Sequence, residues 1–183
     1  MRAVPITLAL AVVGASFFAF TRKASAALPP STGIDVLDQP DVQAQQQEYD
    51  VLRRTIWAEA RGEGYRGMQA VANVIMNRRA ISAQTPTRRD WWGETVSEIC
   101  LSPNQFSAWR ADDPNRGQAL AVTESDSEFR SASTIALQAL AGTLPDITFG
   151  ATHYHAVGVY PDWASGASRV ASIGQHVFYA SVG

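Results

Sequence analysis

Trp57-Ala58-Glu59-Ala60-Arg61-Gly62-Glu63-Gly64 closes a helical pattern and then breaks it with glycine. Just upstream, Leu52, Thr55 and Ile56 share one helix face, and Glu59 falls four and three residues beyond the last two on that face. A carboxylate pointing where the core residues point is costly unless it is paired, protonated or used in chemistry. Glu59 is therefore the first candidate for a general acid. The competing structural reading is a helix-end glutamate paired with Arg53 or Arg61.

Outward from this stretch the elements follow in order. A first helix is expected over Tyr49–Ala60, stopping near Gly62 as a C-cap residue. A second is expected over Arg66–Ala80, with Met68, Val71, Ala72, Ile75 and Met76 at three- and four-residue steps. Arg78-Arg79 would sit at its C-terminus, where cations suit the helix dipole. Gln84–Trp92, with Pro86, reads as a polar loop, and Thr95–Cys100 as a short helix. Ser102–Trp109 is irregular, and residues 111–118 read as an exposed excursion. Ser125 or Asp126 can cap a third long helix running to Ala141, with Gly142 as terminator. Ile147–His155, Arg169–Ile173 and His176–Tyr179 read as short strands, the last two joined by a turn. Helices first and strands late predict an α+β domain, with the site in a cleft between the two parts.

The chain has 183 residues, 46% of them hydrophobic, enough for one domain with its own core. A formal net charge of −2 provides no basic field for nucleic acid. One cysteine, Cys100, excludes an intrachain disulfide framework and a multi-cysteine metal site; it reads as a small buried hydrophobe. At the amino terminus, Arg2, the apolar run Ile6–Phe20 and Ala24-Ser25-Ala26 fit a signal peptide cut after Ala26. Arg22-Lys23 after the run keeps an uncleaved N-terminal anchor open. Export to the periplasm or cell envelope is expected, with membrane contact only through residues 1–26. Cleavage would remove three of the 15 cations and no acid, leaving 12 against 17 acids, a net of −5. Residues 27–48 read as a polar linker and residues 49–183 as the folded domain.

Protonating a glycosidic oxygen requires a carboxylic acid that keeps its proton near neutral pH, and burial of Glu59 in an apolar cleft would supply that state. Glu63 lies beyond Gly62 and need not share that face. As a lone acid it suits a backbone amide, an arginine or the cap of the next helix, though it could also serve as the second carboxylate of a glycosidase. His153 and His155, at i and i+2 on a strand, project from one side, and His176 could complete a zinc site. In the alternative, one of the pair lines the cleft and the other is hydrogen-bonded within the fold. Trp57, Trp91, Trp92, Phe106, Trp109, Tyr154, Tyr160 and Trp163 supply aromatic faces for sugar C–H surfaces or for the core. Asn104, Gln105 and Ser107 can address hydroxyls and N-acetyl amides.

Together with Gly67-Met68-Gln69-Ala70-Val71-Ala72-Asn73-Val74-Ile75-Met76-Asn77-Arg78, the opening stretch resembles the first motif of the SleB-type cell wall hydrolases, which include spore-cortex-lytic enzymes. Pro103-Asn104-Gln105-Phe106-Ser107 resembles the second. Gly150–His155, Pro161-Asp162-Trp163-Ala164 and Ile173–Tyr179 resemble the C-terminal blocks. The resemblance covers about 49–183. It implies a lysozyme-like helical domain with a small antiparallel β region and a catalytic cleft between them. It implies peptidoglycan glycan strands as substrate, Glu59 as catalytic acid, and lytic transglycosylase chemistry in which one carboxyl group suffices. Glu63, Gln105, Phe106, Ser107, His153, Tyr154 and His155 form the candidate substrate-binding set. No cofactor or metal is expected, and the protein is expected to be a monomer. A zinc amidase or peptidase using the histidines, or a non-catalytic cell-wall-binding module, are the alternatives. Residues 27–48 are too short and polar for a separate peptidoglycan-binding repeat, and Gln84–Glu94 and residues 111–123 look longer than a minimal version needs. Both favour envelope remodelling or phage-type lysis over germination.

Overall fold

Pro40 starts the first helix. In the computed structural model, which describes residues 39–182, α1 runs Pro40–Ala60. Proline at the first position loses no hydrogen bond, because that amide has no intrahelical partner. The polar string 40–48, expected to belong to a linker, is thus helical. Its last residue ties two helices together, since the Glu48 carboxylate accepts the Val96 and Ser97 amides at 3.0 and 2.9 Å. The expected signal segment and the linker up to residue 38 lie outside the described residues.

A 3-10 turn, Arg61–Glu63, reverses the chain, and Gly64 (φ 65°) leads into α2, Gly64–Gln84. A side chain there would be strained, so glycine is favoured. The helix outruns its expected end because Arg78 is buried within it rather than sitting at its terminus. It stops where Thr85, preceding Pro86, turns extended. Pro86–Trp92, expected to be a loop, forms α3: Pro86 again occupies a first-turn position, and Trp92 buries itself in the core. α4, Val96–Leu101, carries a reciprocal cap, with the Thr95 hydroxyl accepting the Glu98 amide and the Glu98 carboxylate accepting the Thr95 amide. The excursion at 111–118 leads into α5, Arg116–Ala121, which buries Ala119. α6 runs Ser127–Leu140; its cap, Asp126, accepts the Phe129 amide at 2.8 Å and the Trp57 indole N–H at 3.1 Å.

α1, α2, α4 and α6 pack around one core in which Leu52, Ile56, Val71, Ile75, Val96, Ile99 and Ile135 are fully buried. Phe129 lies at its edge, beneath the Arg53 and Arg54 guanidinium groups at 4.7 and 5.4 Å and edge-on to Trp57.

Three antiparallel strands follow: β1, His153–Ala156; β2, Ser168–Ile173; and β3, His176–Ala180, in the order β1-β3-β2. The first strand starts six residues later than expected. Asp146 accepts the Thr148 and Gly150 amides, and Asn73 accepts the Ile147 amide, so local turn bonding outcompetes a ladder. The sheet seats Phe178 on Ala70 and Val74 of α2, small residues that permit close approach. The class is α+β, as expected, a helical domain carrying a small antiparallel sheet. Among the described residues no helix is long and apolar enough to cross a membrane.

Asp126 caps α6 and fastens it to α1. Asp126→Ala is expected to lower unfolding free energy by roughly 1–2 kcal/mol, and Asp126→Asn by less, in urea titrations followed by tryptophan fluorescence.

Candidate active site

Glu59 occupies the last turn of α1, and the helix breaks directly after it, at Ala60 (φ −142°). That turn holds no basic residue, and the negative end of the helix dipole disfavours a charged carboxylate there. Neither candidate arginine pairs with it. Arg53 binds Asp50 and Glu124, whereas Arg61 lies over the Trp57 ring at 4.4 Å and reaches Asn115. The partner of Glu59 comes from the sheet: the Tyr154 hydroxyl donates to Glu59 Oε2 at 2.9 Å. Burial pushes the Glu59 carboxyl above its ordinary pKa; the charge of Asp113 adds to the rise, and the Tyr154 bond and the Ser107 backbone amide oppose it without reversing it. Burial, followed by the charge of Glu59, holds the Tyr154 phenol well above its ordinary pKa, so it remains a donor. The pair is therefore a carboxyl group whose burial favours the protonated form, with one fixed hydrogen-bond donor ready to steady it once ionised.

The 102–109 segment brings Ser107 to this acid through three anchors. The Trp109 indole donates to Thr55 Oγ1 at 2.9 Å, Phe106 is buried, and Gln105 Oε1 accepts from Arg78 Nη1 at 2.9 Å. Ser107 is exposed beside Glu59, Phe106 is buried in the helical core, and the Gln105 oxygen is committed to Arg78. Asp113 carries no signal of a site in the sequence, because Asp112-Asp113-Pro114-Asn115 reads as a turn. It accepts the Asn115 amide at 2.8 Å, and that bond holds its carboxyl below the usual range, ionised near Glu59.

Glu63 does not join Glu59. Its Oε2 accepts the Gln175 amide at 2.7 Å, and its Oε1 lies 3.4 Å from His176 Nδ1. A methyl group at Gly67 or Gly174 would overlap the Glu63 side chain. Glu63 thus finds a backbone amide, one of the partners expected of it, on the β2–β3 turn rather than on the helix that follows.

The strand register separates the histidines. Tyr154 pairs with Phe178 and Ala156 with His176, whereas His153 pairs with Tyr179 and His155 with Val177. Side chains alternate along a strand, so His176 shares the Tyr154 face and His153 and His155 take the other. His176 packs edge-on to Tyr154 at 5.0 Å. On the far face, His153 bonds the Thr152 hydroxyl and packs between Trp92 and Trp163; burial, with the nearby charges of Arg78 and Arg88, depresses its pKa to about 4. His155 bonds Ala156 O and the Tyr179 hydroxyl. The three rings do not converge on one point, and among the described residues no three His, Cys, Asp or Glu side chains cluster as a metal site would require. A groove of about 950 Å3 between the start of α1 and α3–α4 contains none of these groups.

The cell wall hydrolase family matches residues 62–179, so its matched span begins three residues after Glu59. Among solved structures, the catalytic domain of the germination-specific lytic transglycosylase SleB from Bacillus anthracis is similar, with 27% identity, a TM-score of 0.56 and coverage of 74% of this chain and 95% of that one. The catalytic domain of the Bacillus cereus SleB protein is similar at 27% identity and a TM-score of 0.55, covering 74% and 91%. Comparison with curated proteins produced no match. Matched by the family over more than half its length and by these catalytic domains in fold, the chain belongs to the cell wall hydrolases and is an enzyme of peptidoglycan breakdown.

Proposed function

We infer that the protein is a lytic transglycosylase in which Glu59 is the single acid/base. The observation that carries this is a buried carboxyl with raised pKa, no cationic partner among the described residues and a phenol donor at 2.9 Å. The similar Bacillus anthracis domain is itself described as a lytic transglycosylase, which supports the reading. Neutral Glu59 gives its proton to the oxygen bridging N-acetylmuramic acid and N-acetylglucosamine, and the glycosidic C–O bond breaks. Positive charge gathers at the anomeric carbon while Tyr154 steadies the new carboxylate. Glu59 then takes the proton of the muramoyl 6-hydroxyl as that oxygen bonds the anomeric carbon. The product ends in a 1,6-anhydro ring, and Glu59 is neutral again without a second acid. Of the candidate substrate-binding set, Ser107 and Tyr154 adjoin Glu59, and Phe106 and Gln105 support the Ser107 segment. Residues 1–26 would export the chain to the envelope, where this substrate lies, and residues from Pro40 onward would form the catalytic unit.

Asp113 favours a second reading. An ionised carboxylate near the acid is what a hydrolytic glycosidase uses to activate water. Mass spectrometry of fragments released from purified sacculi separates the two, since the anhydro product is roughly 18 Da lighter than the hydrolytic one. The anhydro mass is expected, and it should persist in Asp113→Asn; a switch to reducing ends would assign hydrolysis.

Glu59→Gln should lower turnover of sacculi by at least about 100-fold, the usual scale of a lost general acid. Full activity in this variant would remove Glu59 from the chemistry. Tyr154→Phe deletes a bond that favours the charged carboxylate, so the Glu59 pKa should rise further and the alkaline fall of the pH–rate profile should move to higher pH.

A folded pKa above the unfolded one means that the native state holds the proton longer, so stability falls as pH rises from the unfolded value through the folded one. Glu59→Gln removes that loss. The variant should gain stability relative to the parent at neutral pH and lose this advantage below about pH 4, near the unfolded carboxyl value, as read by thermal melts across pH.

A further inference from the structure

Beyond β1 the chain leaves the site and builds a second feature on the far face of the sheet. Val157, Val159 and Tyr160 are exposed, Tyr160 by 85%, and Pro161 then opens a 3-10 turn, Asp162–Gly166. A ring that exposed contributes little to folding, and three large apolar side chains within four residues form a local patch of the kind that marks interaction sites. Beside it lies a concavity of about 320 Å3 lined by Tyr160, Pro161, Asp162, Ala164, Ser165 and Tyr179.

Its floor is fixed before any ligand arrives. The Tyr179 hydroxyl is bonded to His155 Nε2 at 3.0 Å, the two rings stack at 5.2 Å, and Trp163 stands edge-on to Tyr179 at 5.4 Å. His155 is held in turn by Ala156 O at 2.9 Å. The far-face histidine is thus a support for the floor. The walls provide an exposed phenol ring, the Asp162 carboxylate and the Ser165 hydroxyl. Asp162 forms no salt bridge among the described residues, and Ser165 donates its one proton to the Asp162 carbonyl at 2.8 Å, so its remaining capacity is as an acceptor. An aromatic face beside acceptor oxygens suits a neutral polyol: C–H groups lie on the ring and hydroxyls donate to the carboxylate. The same carboxylate repels anionic polymers. The volume is at the small end of ligand sites, the size of a sugar unit rather than a folded partner.

We propose that this concavity is an accessory saccharide subsite, separate from Glu59, which takes an N-acetylhexosamine unit of a glycan strand. The assignment rests on the peptidoglycan reading above for its choice of sugar. Because Tyr179 and Tyr154 point to opposite faces of the sheet, the subsite holds a distant part of the strand or a neighbouring strand. Tethering an insoluble substrate at a second point raises its local concentration at the acid without adding a contact there.

The test uses the full chain carrying Glu59→Gln, to slow turnover, titrated with a tetramer of N-acetylglucosamine and followed by NMR. Saturable shifts are expected at the Asp162 and Ser165 amides and the Trp163 indole, and Tyr160→Ala should abolish them; at 85% exposure that change leaves the core untouched. With Glu59 intact, Tyr160→Ala should lower the ratio of sacculus turnover to short-fragment turnover about five-fold, the scale of one lost aromatic contact. Shifts confined to the surroundings of Glu59, shifts with free stem peptide but none with the tetramer, or an unchanged turnover ratio would each overturn the proposal. The titration reads the subsite even if Glu59 proves not to be the acid, so failure of one reading is distinguishable from failure of the other.

Discussion

The arrangement depends on a buried arginine. Arg78 lies in the middle of α2 with 5% of its surface exposed; its Nε donates to Thr152 O at 2.7 Å and its Nη1 to Gln105 Oε1 at 2.9 Å. The rings of Trp92 and Phe106 take its faces at 5.6 and 5.7 Å. Among the described residues it has no carboxylate partner; taking a guanidinium out of water in that way is expensive, and burial lowers its pKa accordingly. One side chain thereby fastens the 102–109 segment, α3 and the residue leading into β1. Those are the pieces that bring Ser107 from one side and Tyr154 from the other to the end of α1. Lysine would keep the charge but lose the planar fork that reaches two acceptors at once.

The cation also sorts the protonation states around it. His153 lies close enough for Arg78 to help hold its pKa near 4, so it is a neutral ring at working pH. Cys100, fully buried, is pushed up to about 12 by burial despite the opposing arginine, and remains an inert thiol. Glu59 does not take Arg78 as a partner. Had it done so, the ion pair would have fixed the carboxylate in its charged form and ended its use as an acid. Tyr154 instead provides a donor without a charge.

How much of this is legible in the sequence follows from distance along the chain. α6 is readable to within two residues because Asp126 and Gly142 mark its ends locally. Glu59 is readable because helical phase alone places it inward. α3 is not, because Pro86 followed by polar residues resembles a loop until Trp92 is seen to bury itself. Arg78 reads as a helix-end cation, since nothing nearby says that Gln105 and Thr152 will meet it. The bond between Glu59 and Tyr154 spans 95 positions, and neither residue advertises the other. Asp113 is hidden by turn-like neighbours. The signals that fail are those in which a polar group finds its partner only after the chain has folded.

Strand register is the remaining constraint, and it is tight. A slip of one residue in β1 would turn Tyr154 outward and present His153 or His155 to Glu59. Two contacts oppose this. Phe178, opposite Tyr154, is fully buried against Ala70 and Val74, so it cannot exchange faces with Tyr179 without exposing its ring and burying a hydroxyl. At the other end, Glu63 grips the Gln175 amide where glycine at 174 (φ 57°) leaves room for its carboxylate. The two glutamates of the opening stretch therefore act in sequence. Glu63 sets where the sheet docks, and that docking places the phenol that Glu59 requires.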